Sequence, residues 1–136
     1  MHPMSESPGF SASDYVTLFF ELLDRSSDAV LLARASDGVI LEANGAFLSL
    51  FRLPRSQVIG STTMELGLWV DPSARSAAWE QAQGGRVDGA RFRLRDAWSE
   101  EFTLELSAVT VPWRGEDAVL GVGRVVMPGM ARRDAS

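Results

Sequence analysis

The sequence predicts an α+β domain in which a five-stranded antiparallel sheet carries its helices on one face, preceded by an N-terminal amphipathic helix. Three observations predict this fold: two short strands that meet at an Asp-Gly turn, a run of short capped helices, and three longer strands separated by turns. Strands joined by tight turns must be antiparallel neighbours. The helices between the two groups of strands then collect on one side of the sheet.

Length and composition bound the organisation of the chain. Its 136 residues suit one domain, and we expect a flexible arm at 1–12, a single domain at 13–127 and a tail at 128–136. A net charge of −5 argues against a nucleic-acid partner. Because the chain has neither an apolar run of about 20 residues nor a basic signal region, we expect no membrane partner and a cytoplasmic location.

The chain lacks the residue types that carry most enzyme chemistry. It has no cysteine, and its single histidine, His2, lies in the predicted arm. Glu101 and Glu105 share one strand face, but they face arginines and are interpreted as a solvated surface rather than a catalytic pair. The sequence therefore predicts no catalytic residues, no metal site and a protein that is not an enzyme.

An amphipathic helix is predicted over residues 13–25, because Ser11 and Asp14 resemble a capping box and the apolar residues fall within an arc of roughly 200°. That arc is wider than one core-facing stripe requires. Two readings stay open: a deeply buried helix, or a helix that packs on its own domain and also on a partner. The second reading predicts a homodimer interface formed by Tyr15, Val16, Phe19, Phe20 and Leu23.

The first half of the domain contains a strand pair and a capped helix. The strands are predicted at 29–35 and 39–43, and the Asp-Gly pair at 37–38 supplies the tight turn between them. Asn44 is a favourable N-cap for a short helix over 45–51.

Three further start signals follow this helix. Pro54 suits the first position of a short helical segment, and Thr62 with Glu65 forms a second capping-box candidate. Asp71 followed by proline begins a longer helix, which should end at the Gly-Gly pair at 84–85.

The second half of the domain is strand-rich. From residue 90 to 95 apolar residues alternate with arginines, and from 101 to 106 apolar residues alternate with glutamates and a threonine. If these strands pair, the opposite charges share one face and the apolar residues share the other. Gly121 and Gly123 lie inside the last strand, where they indicate close backbone approach or a weak strand centre.

In order and spacing these segments resemble a PAS domain, the sensor module of many bacterial signalling proteins. The resemblance covers about residues 15–126. The residues that carry it are Ser27-Asp28-Ala29-Val30-Leu31-Leu32, Asp37-Gly38-Val39-Ile40, Asn44 with Ala46, Phe47, Leu50 and Phe51, Val58-Ile59-Gly60, Leu66-Gly67-Leu68-Trp69 with Asp71-Pro72, Gly85 with Val87, Ser107-Ala108, and Gly115-Glu116.

The resemblance implies a hollow between the helices and the sheet, which in this family often holds a small molecule or cofactor. The residues expected around a small, mostly apolar ligand are Phe47, Phe51, Val58, Ile59, Trp69, Trp79, Phe92, Leu104 and Leu106. The same residues could equally form a closed core. The resemblance thus implies a noncovalent, dimerising sensor, and the alternative is a protein-interaction module without a ligand.

The resemblance leaves the cofactor unidentified. A light-oxygen-voltage photoreceptor needs a reactive cysteine beside its flavin, and the absence of cysteine excludes that chemistry. A haem sensor usually supplies an axial histidine from the long helix, and residues 73–83 contain none, so histidine-ligated haem is not expected. Met64 and Met127 are interpreted as packing residues.

Two departures from the family pattern bear on partners. The usual Asp-Gly turn between the third and fourth strands is replaced by residues 96–100, which place Trp98 near a hairpin tip. The usual exit into a coiled-coil linker is replaced by a stretch with proline and glycine at 128–129. A downstream signalling protein is expected as a partner.

Overall fold

A computed structural model describes residues 18, 19, 21, 22 and 24–126. The predicted arm at 1–12, the tail at 128–136 and much of the predicted helix at 13–25 lie outside them. In chain order the elements are β1 (Ala29–Arg34), β2 (Ile40–Ala43), α1 (Gly45–Phe51), α2 (Arg55–Val58), α3 (Pro72–Gly84), β3 (Arg86–Arg95), β4 (Glu101–Trp113) and β5 (Glu116–Val125). In the described part of the chain, no helix is long and apolar enough to cross a membrane.

The five strands form one antiparallel sheet in the order β2-β1-β5-β4-β3, which confirms the predicted sheet. The last strand in the chain, β5, lies at the centre, where Gly121 pairs with Leu31 of β1 and Gly123 pairs with Leu106 of β4. The turn between β4 and β5 has positive φ at both Arg114 and Gly115, which suits a two-residue hairpin.

The two long strands extend beyond their predicted segments. A β-bulge between Val87 and Ala90 interrupts the alternation, so strand β3 begins at Arg86 although the regular pattern begins only at residue 90. Gly89 in the bulge has a φ of 60°. Strand β4 continues to Trp113, and its Pro112 lies at the end of the β5 ladder, opposite Asp117.

The predicted charge pairing between β3 and β4 is confirmed on the outer face of the sheet, and Arg124 of β5 adds a further pair. Glu105 lies 3.6 Å from Arg91 and 3.3 Å from Arg124, and Glu101 lies 2.9 Å from Arg93. These exposed pairs stabilise the sheet weakly, by at most about 1 kcal/mol each. Both glutamates therefore form ion pairs on the surface of the sheet.

The helix start signals are mostly confirmed. Asp71 caps α3 by accepting from the Ser73 amide at 3.0 Å, and α3 ends at the predicted glycine pair. Pro54 is the N-cap of α2 rather than its first residue, and α2 ends at Val58. Thr62 and Glu65 exchange the two hydrogen bonds of a capping box, but they close a turn and not a regular helix.

Asn44 joins the first strand, the second strand and helix α1, and it is 1% exposed. Its Oδ1 accepts from the amides of Val30 at 2.8 Å and Phe47 at 3.0 Å. Its Nδ2 donates to the carbonyl of Asp28 at 2.9 Å. The predicted N-cap is thus also a bridge between β1 and α1.

The β3–β4 turn is held by the buried carboxylate of Asp96. Its Oδ1 accepts from the amides of Trp98 and Glu100, and its Oδ2 accepts from Arg52 Nε at 2.9 Å. Burial opposes ionisation, but these hydrogen bonds and the Arg52 charge outweigh it and lower the pKa of Asp96. A lowered pKa stabilises the fold above the unfolded-state pKa, and that contribution is lost as pH falls through the folded-state value. The turn presents Trp98 to solvent, 68% exposed, with Arg52 3.9 Å above its ring.

We expect Asn44→Ala to lower the free energy of unfolding by about 2–4 kcal/mol, because it removes a helix cap and leaves the Val30 amide and the Asp28 carbonyl without their partner. Urea denaturation followed by circular dichroism measures this loss. Asn44→Asp is the matched control, since it keeps both acceptor bonds but places a carboxylate oxygen against the Asp28 carbonyl. A loss below about 0.5 kcal/mol for Asn44→Ala would show that Asn44 is only a surface cap.

Candidate ligand cavity

A cavity of about 100 Å³ lies between the inner face of the sheet and the helices. Strands β1, β3, β4 and β5 form its floor, while α1, α3 and the segment that precedes α3 form its walls and roof. Its lining is almost entirely apolar. The lining residues are Ala29, Leu31, Ala33, Gly38, Phe47, Phe51, Thr63, Leu68, Trp69, Arg75, Ala78, Trp79, Ala82, Val87, Leu94, Leu104, Leu106, Ala108, Val119, Gly121 and Gly123.

The cavity exists because small residues face each other across it. Gly121 of the central strand leaves part of the floor without a side chain, and Ala78 and Ala82 of α3 present only methyl groups from above. A Cβ atom at Gly123 would lie 2.6 Å from Cδ2 of Leu104, whereas one at Gly121 would lie 3.6 Å from Leu106. At Gly123 the close neighbour is therefore the Leu104 side chain, which occupies the space of the missing side chain, and not the backbone that the sequence led us to expect.

Aromatic residues close the ends of the cavity. Phe47 and Phe51 of α1 pack together with ring centroids 4.7 Å apart at one end. At the other end Trp69 meets Phe92 edge to face at 5.4 Å and donates from Nε1 to Thr63 Oγ1 at 3.0 Å. The tryptophan is held in place by packing and by a polar anchor, as a buried indole requires.

The structure brings together six of the nine residues predicted for the ligand. The residues that line the cavity are Phe47, Phe51, Trp69, Trp79, Leu104 and Leu106. Val58 is fully buried in the core, Ile59 packs against the core from outside, and Phe92 packs behind Trp69. These three residues do not line the cavity, and contact of any of the nine with a ligand stays a prediction.

Sequence reasoning missed the polar part of the lining, which is Arg75 and Thr63. A signal for Arg75 was present, because Arg75, Ala78, Trp79 and Ala82 follow the i, i+3, i+4, i+7 spacing of one helix face. Thr63 carries no comparable signal, since it lies in an irregular turn.

The predicted dimer residues fall largely outside the described part of the chain. Of those five, only Phe19 is described, and it is 41% exposed. Its neighbours Leu18 and Leu22 are 42% and 61% exposed. Asp24 ties this segment to α1, because its Oδ1 accepts from the Gly45 amide at 2.8 Å.

The size of the cavity limits what it holds in this conformation. A dry cavity of about 150 Å³ lined by apolar side chains binds benzene. A cavity of about 100 Å³ is smaller than that one, so a six-carbon ring fits only with a small outward shift of the walls, and a three-ring flavin is too large for this conformation. Among the described residues, no group of three or more His, Cys, Asp or Glu side chains could hold a metal ion.

A five-stranded antiparallel sheet in the order β2-β1-β5-β4-β3, with short helices over an apolar cavity on one face, is the architecture of the PAS class. The PAS fold family model matches residues 17–126, so the chain belongs to the PAS family. No curated protein matches the chain.

Solved structures share this fold at low sequence identity. A PAS domain from a two-component sensor histidine kinase superposes with a TM-score of 0.69 at 16% identity, over 85% of this chain and 99% of that one. The PAS domain of a Colwellia psychrerythraea protein gives 0.69 at 18%, over 83% and 98%. The Rhodobacter sphaeroides LOV protein gives 0.70 at 21%, over 93% and 74%.

We expect Gly123→Ala to lower the free energy of unfolding by about 1–3 kcal/mol, because its methyl group collides with the buried Leu104 side chain. Gly121→Ala is the matched control on the same strand. Its methyl group meets only ordinary contacts, so we expect unchanged or slightly higher stability. Urea denaturation of both variants gives the comparison, and equal stability would contradict the close approach described at Gly123.

Proposed function

We propose that this PAS domain senses a small, mostly apolar molecule bound noncovalently in the cavity, and that it acts as a homodimer in the cytoplasm. The single observation that carries the proposal is the apolar cavity, which glycines and alanines keep open on two facing walls. Well-packed interiors leave few voids larger than a water molecule. A concave, mostly apolar and aromatic lining with one or two polar groups is typical of a small-molecule pocket.

The affinity expected of such a ligand follows from its size. A body of about six carbon atoms buries on the order of 150 Å² of apolar surface, which contributes about 4 kcal/mol at 25 cal/mol per Å². That free energy corresponds to a dissociation constant near the millimolar range before any polar contact is added. Binding is therefore best measured by NMR titration at high protein concentration.

The contacts of α1 suggest how occupancy is transmitted. Phe47 and Phe51 line the cavity from α1, and the first amide of α1 is bonded to Asp24 in the N-terminal segment. A ligand that favours one position of α1 would shift the equilibrium of this segment through that link. The protein that responds to this shift would be a downstream signalling protein or the second protomer of the dimer.

The exposed side chains of Leu18, Phe19 and Leu22 support the dimer part of the proposal. Three large apolar residues within one short segment are more than scattered surface apolars, and such clusters mark protein contacts. The alternative function, a ligand-free interaction module, would rely on the same segment and on Trp98. This alternative differs from the proposed function because it requires no ligand in the cavity.

We expect Ala78→Leu to abolish binding of a neutral aromatic probe, benzyl alcohol, because the larger side chain occupies the cavity from its roof. Chemical-shift titration of the ¹⁵N-labelled protein measures binding. Ala77→Leu is the matched control, since Ala77 is on the exposed side of the same helix and should leave binding unchanged. Unchanged binding to Ala78→Leu, or no binding to the unmodified protein, would contradict the ligand part of the proposal.

We expect the double variant Phe19→Asp and Leu22→Asp to convert a dimer to a monomer, because two carboxylates cannot be buried unpaired at an interface. Light scattering after size exclusion measures the mass, and circular dichroism checks that the sheet stays folded. Trp98→Ala removes a large exposed apolar side chain at the β3–β4 turn and should stay dimeric. A dimer that persists in the double variant would place the interface elsewhere.

A further inference from the structure

Arg75 is the charged residue of the cavity lining, and the proposed function gives it no role. It lies one turn into α3, half-buried, with its guanidinium carbon 4.6 Å from the centre of the Trp79 ring. One of its terminal nitrogens packs against Gly38, where a Cβ atom would lie 2.7 Å from it. The missing side chain of Gly38 makes room for the guanidinium, and its φ of 77° independently favours glycine in this turn.

Arg75 differs from most other arginines of the described residues in its partners. Arg52, Arg55 and Arg93 each form an ion pair with a carboxylate. No carboxylate of the described residues lies within ion-pair distance of Arg75. Asp37, in the adjacent turn, binds Arg34 through one oxygen and the Val39 amide through the other.

Burial makes this arrangement costly without an anion. Desolvation lowers the pKa of Arg75, although an arginine side chain stays charged at neutral pH. A guanidinium beside an apolar hollow is stabilised in part by the face of Trp79. An anionic group would stabilise it further, because charge-assisted pairs strengthen as water is excluded.

The lining offers a second polar group to such an anion. Thr63 Oγ1 accepts from Trp69 Nε1, and no described residue accepts from its own hydroxyl hydrogen. That hydrogen can therefore donate to a ligand oxygen.

We infer that the ligand is a small apolar carboxylic acid, whose hydrocarbon body fills the cavity and whose carboxylate pairs with Arg75. This inference rests on the proposed function, since it names the chemical class of the ligand for the same cavity. A carboxylate fits a lone guanidinium because both are planar and can form two parallel hydrogen bonds. A phosphate would bring more charge than one cation balances, and no other arginine lines the cavity.

The test compares two probes that differ in charge but hardly in shape, phenylacetate and phenylacetamide, by chemical-shift titration at low salt. We expect the unmodified protein to bind phenylacetate about tenfold more tightly than the amide, the lower end for a charge-assisted hydrogen bond at a half-exposed site. Arg75→Met should remove that preference, so that the acid and the amide bind with similar affinity. Arg86→Met removes an exposed arginine outside the cavity and should retain the preference.

Further measurements keep the inference testable if Arg75→Met does not fold. Raising the salt concentration should weaken phenylacetate binding to the unmodified protein without affecting the amide. Arg75→Lys should keep part of the preference, since it keeps the charge but loses the planar fork.

The titrations distinguish failure of the carboxylic-acid inference from failure of the proposed function. Equal binding of acid and amide to the unmodified protein, or a preference that survives in Arg75→Met, would overturn the carboxylic-acid inference while the cavity keeps its proposed role. Failure of both probes and of benzyl alcohol would overturn the proposed function and this inference with it.

Discussion

The arrangement of the cavity depends on the side chain of Asn44. By bonding to Val30, Phe47 and Asp28 it fixes the start of β1 against the start of α1. This contact sets the direction in which α1 leaves the sheet, and therefore the position of Phe47 and Phe51 at one end of the cavity. The side chain is buried, so a residue that matched only its size would leave the buried Val30 amide without a hydrogen-bond partner.

The cavity also depends on an unfilled space, which side-chain packing would ordinarily close. Apolar side chains with several rotamers ordinarily fill a space larger than a methyl group, because the atoms around an empty space lose dispersion contacts. Gly121, Ala78 and Ala82 have no rotamers with which to fill it. Leu104 shows the opposite case, since it extends over Gly123 and closes the space there. Leucine side chains therefore fill the space at the edge of the cavity, and the glycine and alanine residues leave the remaining space empty.

Short-range features of the fold could be predicted from the sequence, because caps and tight turns are decided by residues a few positions apart. The cap at Asn44, the cap at Asp71 and the two outer-face glutamate pairings are of this kind. The bulge at 87–90 hid the start of β3, since it breaks the period of two that reveals a strand. The burial of Val58 and the edge position of Phe92 depend on how distant elements pack, which spacing along the chain does not encode. Helix periodicity could have predicted that Arg75 lies on the cavity face of α3. An arginine among alanines is, however, ordinarily interpreted as facing solvent.

The two halves of α3 differ in how firmly they are attached, and this bears on how a ligand could act. At its C-terminal half, Gln83 donates to the Ala35 carbonyl at 2.7 Å and the Ala82 carbonyl accepts from Thr110 at 3.2 Å. Among the described residues, the first two turns make no such hydrogen bond to the sheet, and Arg75 and Trp79 there pack on each other. Local motion is drawn from the less bonded parts of a fold. If the ligand pairs with Arg75 as we propose, it would act on the less bonded end of α3, while the hydrogen bonds of the C-terminal half hold the other end.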